Sequence, residues 1–193
     1  MHGQELTLWL KILRFNMETF IVFLRGINVG RHNKIKMLDL RQVLSEIGFN
    51  DVKTYIQTGN IILKTDLKDK AIITNKIEES ILNHFGFNIP TLVKTKADLD
   101  LIFKKCPFTD AEKENSYFAL LYNAPSQSQI TALSNYDFPN EKFTITNQCI
   151  YLYSSVGYGR TKANSNFFET KLKIKATARN FKTLTKVVSL IKN

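Results

Sequence analysis

A chain of 193 residues is long enough to bury a proper hydrophobic core, as one domain or as two small ones. Its composition, 44% hydrophobic and 23% charged, is that of a globular protein and excludes a disordered chain. The formal net charge of +10 at pH 7 favours polyanionic partners, or a surface kept soluble by self-repulsion.

The chain carries no disulfide, metal or membrane pattern. Cys106 and Cys149 are not spaced for pairing or for metal binding, and His2, His32 and His84 lack ligand-like spacing. Two unpaired thiols are typical of a reducing compartment, so we expect a cytoplasmic protein. No apolar run approaches the roughly 20 residues of a transmembrane helix, so we expect no membrane association.

The first half of the chain predicts the order β-α-β-β-α-β. Residues 19–24 form a continuous apolar run, typical of a strand buried on both faces. Apolar residues spaced i, i+3, i+4 and i+7 from Leu40 predict an amphipathic helix that ends at Gly48. A second helix is predicted from about Asp69, because isoleucines then recur every four residues up to Ile81. The remaining strands are predicted at residues 52–57, 61–65 and 91–94.

The second half predicts the same order again. Its strands are predicted at residues 117–122, 142–146, 150–153 and 174–178. Helices are predicted from Pro125 to Leu133, over residues 167–172, and in a terminal stripe that begins at Phe181. The fold class is therefore α+β, with two ferredoxin-like (βαββαβ) subdomains related by duplication and antiparallel sheets with helices on one face.

These elements also predict the domain boundaries. We expect an N-terminal extension at residues 1–16, before a fold that begins at Met17. The first ferredoxin-like subdomain then covers residues 17–96, a connecting helix and polar linker cover 97–115, and the second subdomain with its C-terminal helix covers 116–193.

Four segments carry a resemblance to a known family. They read FLRGINVGRHNKIKMLDLR, TYIQTGN, GYGRTKANSNFFE and KATARNFKTLTK. With these segments the chain resembles the bacterial domain-of-unknown-function family 1697. The resemblance implies two ferredoxin-like subdomains and brings no established activity, substrate or cofactor. Members of that family typically have a second glycine after Gly30, where this chain has Arg31.

The first candidate site is the segment RGINVGRHNKIKM, residues 25–37, which we call the first basic loop. It has four basic residues and no acid, and it lies between a predicted strand and a predicted helix. Its glycines permit backbone conformations that expose N–H groups, and such groups before a helix can bind an anion. The alternative is a long solvated loop, because the segment lacks the spacing of a P-loop or of a dinucleotide fingerprint.

The turn at residues 57–60 is expected beside this loop. The first and second strands of a split βαβ unit are parallel, so both segments leave the sheet at the same end. Gln57 and Asn60 would then add neutral donors and acceptors to the cations. Ordinary hairpin chemistry is the alternative explanation for Thr58, Gly59 and Asn60.

The second candidate site is residues 157–162, GYGRTK, which we call the second basic loop. Glycines and cations again precede a predicted helix, here near Asn164. The strand that ends at Arg179 and Asn180 should finish at the same end of the sheet, so we expect Arg160, Lys162 and Arg179 to converge. A glycine turn followed by a helix cap is the alternative.

The candidate ligand-binding residues come from these loops, the turn and the strand end. They are Arg25, Gly26, Asn28, Gly30, Lys34, Lys36, Gln57, Asn60, Gly157, Gly159, Arg160, Thr161, Lys162, Asn164, Arg179 and Asn180.

Three hypotheses of function stay open. The leading one is a module that binds an anionic ligand, nucleic acid or nucleotide, in a cleft lined by both loops; the charge of residues 160–193, nine Lys or Arg against one acid, favours it. The second is an enzyme acting on a phosphorylated or carboxylated small molecule, and the third is an interaction protein with structural loops. The sequence indicates no catalytic residue, cofactor, metal or oligomeric state. Tyr151 and Tyr153 alternate as base-stacking residues of RNA-binding sheets do, but a role in the core or in an interface is favoured.

Overall fold

The computed structural model describes residues 17–30 and 32–191. Residues 1–16, the predicted extension, lie outside the described residues. The described chain forms two compact units, one of residues 17–96 with 190–191 and one of residues 97–189.

The first unit is a four-stranded antiparallel sheet with two helices. Its strands lie in the order β2-β3-β1-β4, and every neighbouring pair is antiparallel. The elements are β1 (Glu18–Leu24), α1 (Met37–Glu46), β2 (Asn50–Tyr55), β3 (Asn60–Thr65), α2 (Lys70–Phe85) and β4 (Thr91–Thr95).

The second unit repeats this topology with the strand order β6-β7-β5-β8. The elements from the end of β4 are α3 (Lys96–Lys104), α4 (Asp110–Lys113), β5 (Ser116–Leu121), α5 (Gln127–Leu133), β6 (Glu141–Ile145), β7 (Cys149–Ser154), α6 (Ser165–Leu172), β8 (Ala176–Asn180) and α7 (Phe181–Ser189). The predicted α+β class with two antiparallel sheets is confirmed, and the repeated order is that expected of a duplication.

The alternation of β1 explains the core of the first unit. Phe20, Val22 and Leu24 lie on one face of the sheet and pack with the isoleucine stripe of α2, including Ile73 and Ile77. All five side chains are buried. The isoleucine spacing in the sequence thus predicted the face that α2 turns towards the sheet.

The second unit has helices on both faces of its sheet. Leu133 of α5 and Phe168 of α6 pack against one face, which is the face predicted to carry the helices. On the opposite face Phe103 of α3 packs against Phe118 of β5, with ring centroids 5.9 Å apart. The segment expected as a polar linker also contains a short helix, α4, which Thr109 begins with a capping box.

Tyr151 of β7 lies opposite Phe118, on the face of the sheet that α3 covers, and is fully buried. Its hydroxyl group donates to Ile102 O (2.7 Å), and its ring meets Phe118 edge-on at 5.0 Å. Burial raises the pKa of the Tyr151 phenol well above its usual range. The face of β7 that holds Tyr151 is therefore core, and the favoured interpretation from the sequence is confirmed over base stacking.

Tyr151→Phe tests how strongly this hydroxyl group holds α3. Ile102 lies in the last turn of α3, where carbonyl groups have no partner within the helix. We expect the variant to lose about 1–2 kcal/mol of unfolding free energy, because a buried carbonyl group is left unpaired. Urea denaturation measures this loss.

Tyr153→Phe is the matched control on the same strand. Tyr153 is half-buried, and its hydroxyl group makes no hydrogen bond within the described residues. Its loss should stay below about 0.5 kcal/mol. Equal losses in the two variants would contradict the role given to the Tyr151 hydroxyl group.

Candidate anion-binding site

The first basic loop is a compact turn rather than an extended segment. Gly26, Asn28, Gly30 and Asn33 all have positive φ angles, between 46° and 73°. Glycine and asparagine are the residues that tolerate this left-handed region best. The sequence pattern G-x-N-x-G therefore curls the chain between β1 and α1.

The side-chain amide of Asn28 closes this curl. Its Nδ2 donates to Ile35 O (2.9 Å) and to Gln57 O (2.9 Å), and its Oδ1 accepts from Ile35 N (2.9 Å). Asn33 Nδ2 adds a bond to Gly26 O (3.0 Å). Asn28 was predicted as a ligand contact, but its amide already makes three bonds within the protein, so it positions the loop.

The turn at residues 56–59 packs directly against the loop. Leu24 N donates to Gly59 O (2.8 Å), so the turn touches the end of β1, at the end of the sheet that the parallel-strand rule predicted. Asn60 is fully buried, and its Nδ2 donates to Tyr55 O and Thr58 Oγ1, which closes the turn. Gln57 contributes its backbone carbonyl group to Asn28.

The cations of the loop lie at its surface. Lys34 and Lys36 are exposed, and Arg25 is half-buried, with its backbone N–H donating to Pro90 O (3.0 Å). Lys36 is the N-cap residue of α1, and no side chain among the described residues caps this helix. Positive side chains and the positive end of a helix thus lie together.

Two backbone N–H groups at the end of the second basic loop already have an acceptor within the protein. The carboxylate of Glu141, at the start of β6, accepts from Lys162 N (2.9 Å) and from Ala163 N (2.8 Å). These are the backbone donors that an anion would need. Gly157 has a φ angle of +85°, which favours glycine, whereas Gly159 is not among the residues of positive φ. The ring of Tyr158, between them, stacks on Tyr117 with ring centroids 3.9 Å apart.

Three further predicted residues of the second unit serve as caps or turn contacts. Asn164 Oδ1 accepts from Phe167 N (3.1 Å) and caps α6. Asn180 Oδ1 accepts from Thr183 N (2.7 Å) at the start of α7. Thr161 is buried, and its hydroxyl group donates to Gly157 O (3.3 Å). Helix capping therefore explains this part of the motif.

Arg179 differs in burial from the cations of the second basic loop. β7 and β8 do end at the same end of the sheet, because both are antiparallel to β5. The Arg179 guanidinium group, however, is buried and donates to Thr177 Oγ1 (2.8 Å), back along its own strand. Arg160 and Lys162 are exposed. Burial lowers the pKa of Arg179 to about 10, so the group stays charged at neutral pH.

No candidate ligand-binding residue lines either of two cavities formed by described residues. One of about 310 Å³ is lined by Phe103, Phe181 and Val188, and one of about 320 Å³ by Asn50 and Lys64. No three His, Cys, Asp or Glu side chains among the described residues are grouped as metal ligands. Among the helices of the same residues, none combines the length and hydropathy that crossing a membrane requires.

Comparison with known proteins identifies the family. A family model described as "Protein of unknown function (DUF1697)" matches residues 17–151. The chain belongs to this family. A solved structure of similar fold is "The structure of conserved bacterial protein SP0830 from Streptococcus pneumoniae", with a TM-score of 0.71 and 24% sequence identity. The match covers 91% of this chain and 99% of that protein, and it shows the shared fold. No curated protein matches the chain.

Gly59→Ala tests the close approach between the turn and β1. A Cβ at residue 59 would lie 2.7 Å from Leu24 Cβ, with φ at +76°. We expect a loss of about 2–5 kcal/mol of unfolding free energy, the sum of left-handed strain and overpacking. Gly86→Ala is the matched control, because its φ is +74° and nothing lies within 4 Å. It should lose only about 1–2 kcal/mol, so equal losses in urea denaturation would contradict the crowding.

Glu141→Ala tests whether this carboxylate occupies an anion site. Removing it should cost about 1–3 kcal/mol, because two N–H groups lose their acceptor. Sulfate should restore part of the loss relative to chloride at equal ionic strength, and thermal unfolding in both salts measures this. Glu141→Gln keeps one acceptor oxygen and should respond less. If neither variant responds to sulfate, the carboxylate does not stand in for an anion.

Proposed function

We propose that the protein binds an anionic ligand, a nucleotide or a nucleic acid, with the first basic loop as the binding element. The observation that carries the proposal is a difference between the two units. Residues 25–36, twelve in all, join β1 to α1, whereas the five residues 122–126 join β5 to α5. The same topology therefore needs only a short connection, and a longer one in an ordered domain is often functional.

Charge distinguishes the two connections as well. The longer one carries four basic residues and no acid, whereas residues 122–126 carry no charge at all. The helix that follows the short connection is capped by a capping box from Ser126, whereas α1 begins at exposed Lys36. Positive charge at this position is thus not a requirement of the fold.

The second basic loop gives weaker support for ligand binding. Its backbone donors at residues 162 and 163 already hold the Glu141 carboxylate. A ligand at this loop would have to displace a tethered anion of the protein. The exposed side chains of Arg160 and Lys162 then serve as the comparison for the first basic loop.

Two double variants with the same change of net charge test the proposal. Lys34→Gln with Lys36→Gln should weaken binding of a fluorescent ATP analogue and of a labelled twelve-nucleotide single strand by about tenfold or more, or ~1.4 kcal/mol. Arg160→Gln with Lys162→Gln should change both affinities less than about twofold. Fluorescence anisotropy at low salt gives both values.

A salt series completes the test. For the oligonucleotide, the slope of log affinity against log salt should be about −2 to −3 for three or four neutralised phosphates, and the Lys34 and Lys36 variant should flatten it. Equal effects of the two double variants would indicate binding by overall charge alone. Absence of binding to both probes at low salt would refute the proposed function.

A further inference from the structure

Three large aliphatic side chains are exposed at the first basic loop. Val29 is 65% exposed, Leu38 is 66% exposed and Ile56 is 47% exposed. We call these three residues the apolar rim. Single exposed aliphatic side chains are ordinary, but a group of them beside a charged segment is typical of a binding surface.

The Asn28 amide places the apolar rim in one region. Val29 follows Asn28 in the chain, and Ile56 precedes Gln57, whose carbonyl group accepts from Asn28. Leu38 comes three residues after Ile35, which bonds to the same amide twice. At about 3.8 Å per residue, each Cα of the rim lies within roughly 11 Å of a residue in this cluster.

Ile56 is an unexpected residue for its backbone conformation. Its φ angle is +50°, in the left-handed region that β-branched residues avoid. Asparagine or glycine would relieve this strain, as both do elsewhere in the same loop and turn. Nearly half of the side chain is exposed, so burial offsets only part of the cost. An isoleucine in this conformation points to contact with something outside the unit.

The cations of the first basic loop lie in a short segment near the rim, and Asp39 and Arg41 follow Leu38 in α1. Arg25, Lys34 and Lys36 lie within twelve residues, whereas the neighbouring segments 56–60 and 86–90 carry no charge. A polyanion is bound by a basic stripe that follows its backbone. Cations bordered by aliphatic side chains fit instead a short anion that carries an apolar body.

The geometry points to a compact phosphate monoester with an apolar body as the ligand of the first basic loop. This inference rests on the proposed anion binding and names its substrate class. The phosphate group would lie at Lys34 and Lys36, and the apolar body would cover Val29, Leu38 and Ile56. The body can be an alkyl chain or the face of a nucleobase, and the test below separates these two sources.

A series of phosphate compounds at pH 8 varies the apolar group while the charge of the phosphate group stays nearly constant. The probes are inorganic phosphate, methyl phosphate, hexyl phosphate, 1-naphthyl phosphate and AMP, each titrated by isothermal calorimetry. We expect affinity to rise at least about tenfold from methyl to hexyl phosphate, since each fully buried methylene contributes roughly threefold to fourfold. AMP and naphthyl phosphate binding more tightly than hexyl phosphate would assign a nucleobase, and the reverse order an alkyl chain.

Variants of the rim test the contact itself. Leu38→Gln and Ile56→Asn should each weaken binding of the tightest ester at least about fivefold and leave inorganic phosphate unchanged. Ile56→Asn should also raise the thermal unfolding temperature, since it relieves the strain, so lost affinity cannot be ascribed to misfolding. Ile72→Gln is the control, because Ile72 is 52% exposed on α2 and lies outside the rim.

The outcomes separate this inference from the proposed function. Equal affinity along the series, with the Lys34 and Lys36 double variant still weaker, would refute the apolar contact and keep anion binding. An oligonucleotide that binds far more tightly than AMP and ignores Leu38→Gln would also overturn the inference. No binding of any phosphate, including the oligonucleotide, would refute both.

Discussion

The side-chain amide of Asn28 is the interaction on which the candidate site depends. The amide group bonds twice to Ile35, near the end of the first basic loop, and once to the carbonyl group of Gln57, so it joins two segments that are distant in sequence. The left-handed conformation of Asn28 aims the amide inwards, which asparagine tolerates better than most residues. Lys34 and Lys36 consequently lie on a loop that is already ordered. Ligand binding therefore does not cost the conformational entropy of ordering it.

Periodicity and topology made most of the fold predictable. The isoleucine spacing of α2 and the continuous apolar run of β1 predict one helix face and one buried strand, because each pattern matches the repeat of its element. Once the order βαββαβ is known, parallel strand ends predict that the loop at Arg25 lies beside the turn at Gly59. No side-chain detail was needed for that inference.

Side-chain partners distant in sequence were not predictable in the same way. Glu141 lies twenty-one residues before Lys162, and no local pattern connects a residue at a strand start with a loop beyond the next strand. The direction of Arg179 depends on its rotamer and on its burial, which strand order does not determine. Tyr151 shows the same difference, because alternation gives the face of a strand but not what covers that face. The placement of the turn at Gly59 beside the end of β1 depended on topology and is confirmed, whereas assignments that depended on a side chain's surroundings needed the structure.

The unequal connections of the two units indicate which loops of this fold can be lengthened. Each unit has its own sheet and core. A longer loop in either unit costs little, because loop-closure entropy grows slowly with loop length. Here the long connection of the first unit follows its opening strand, whereas that of the second unit follows its third strand, where residues 155–164 join β7 to α6. Repetition of one topology thus allows each unit to carry a long connection where the other unit carries a short one.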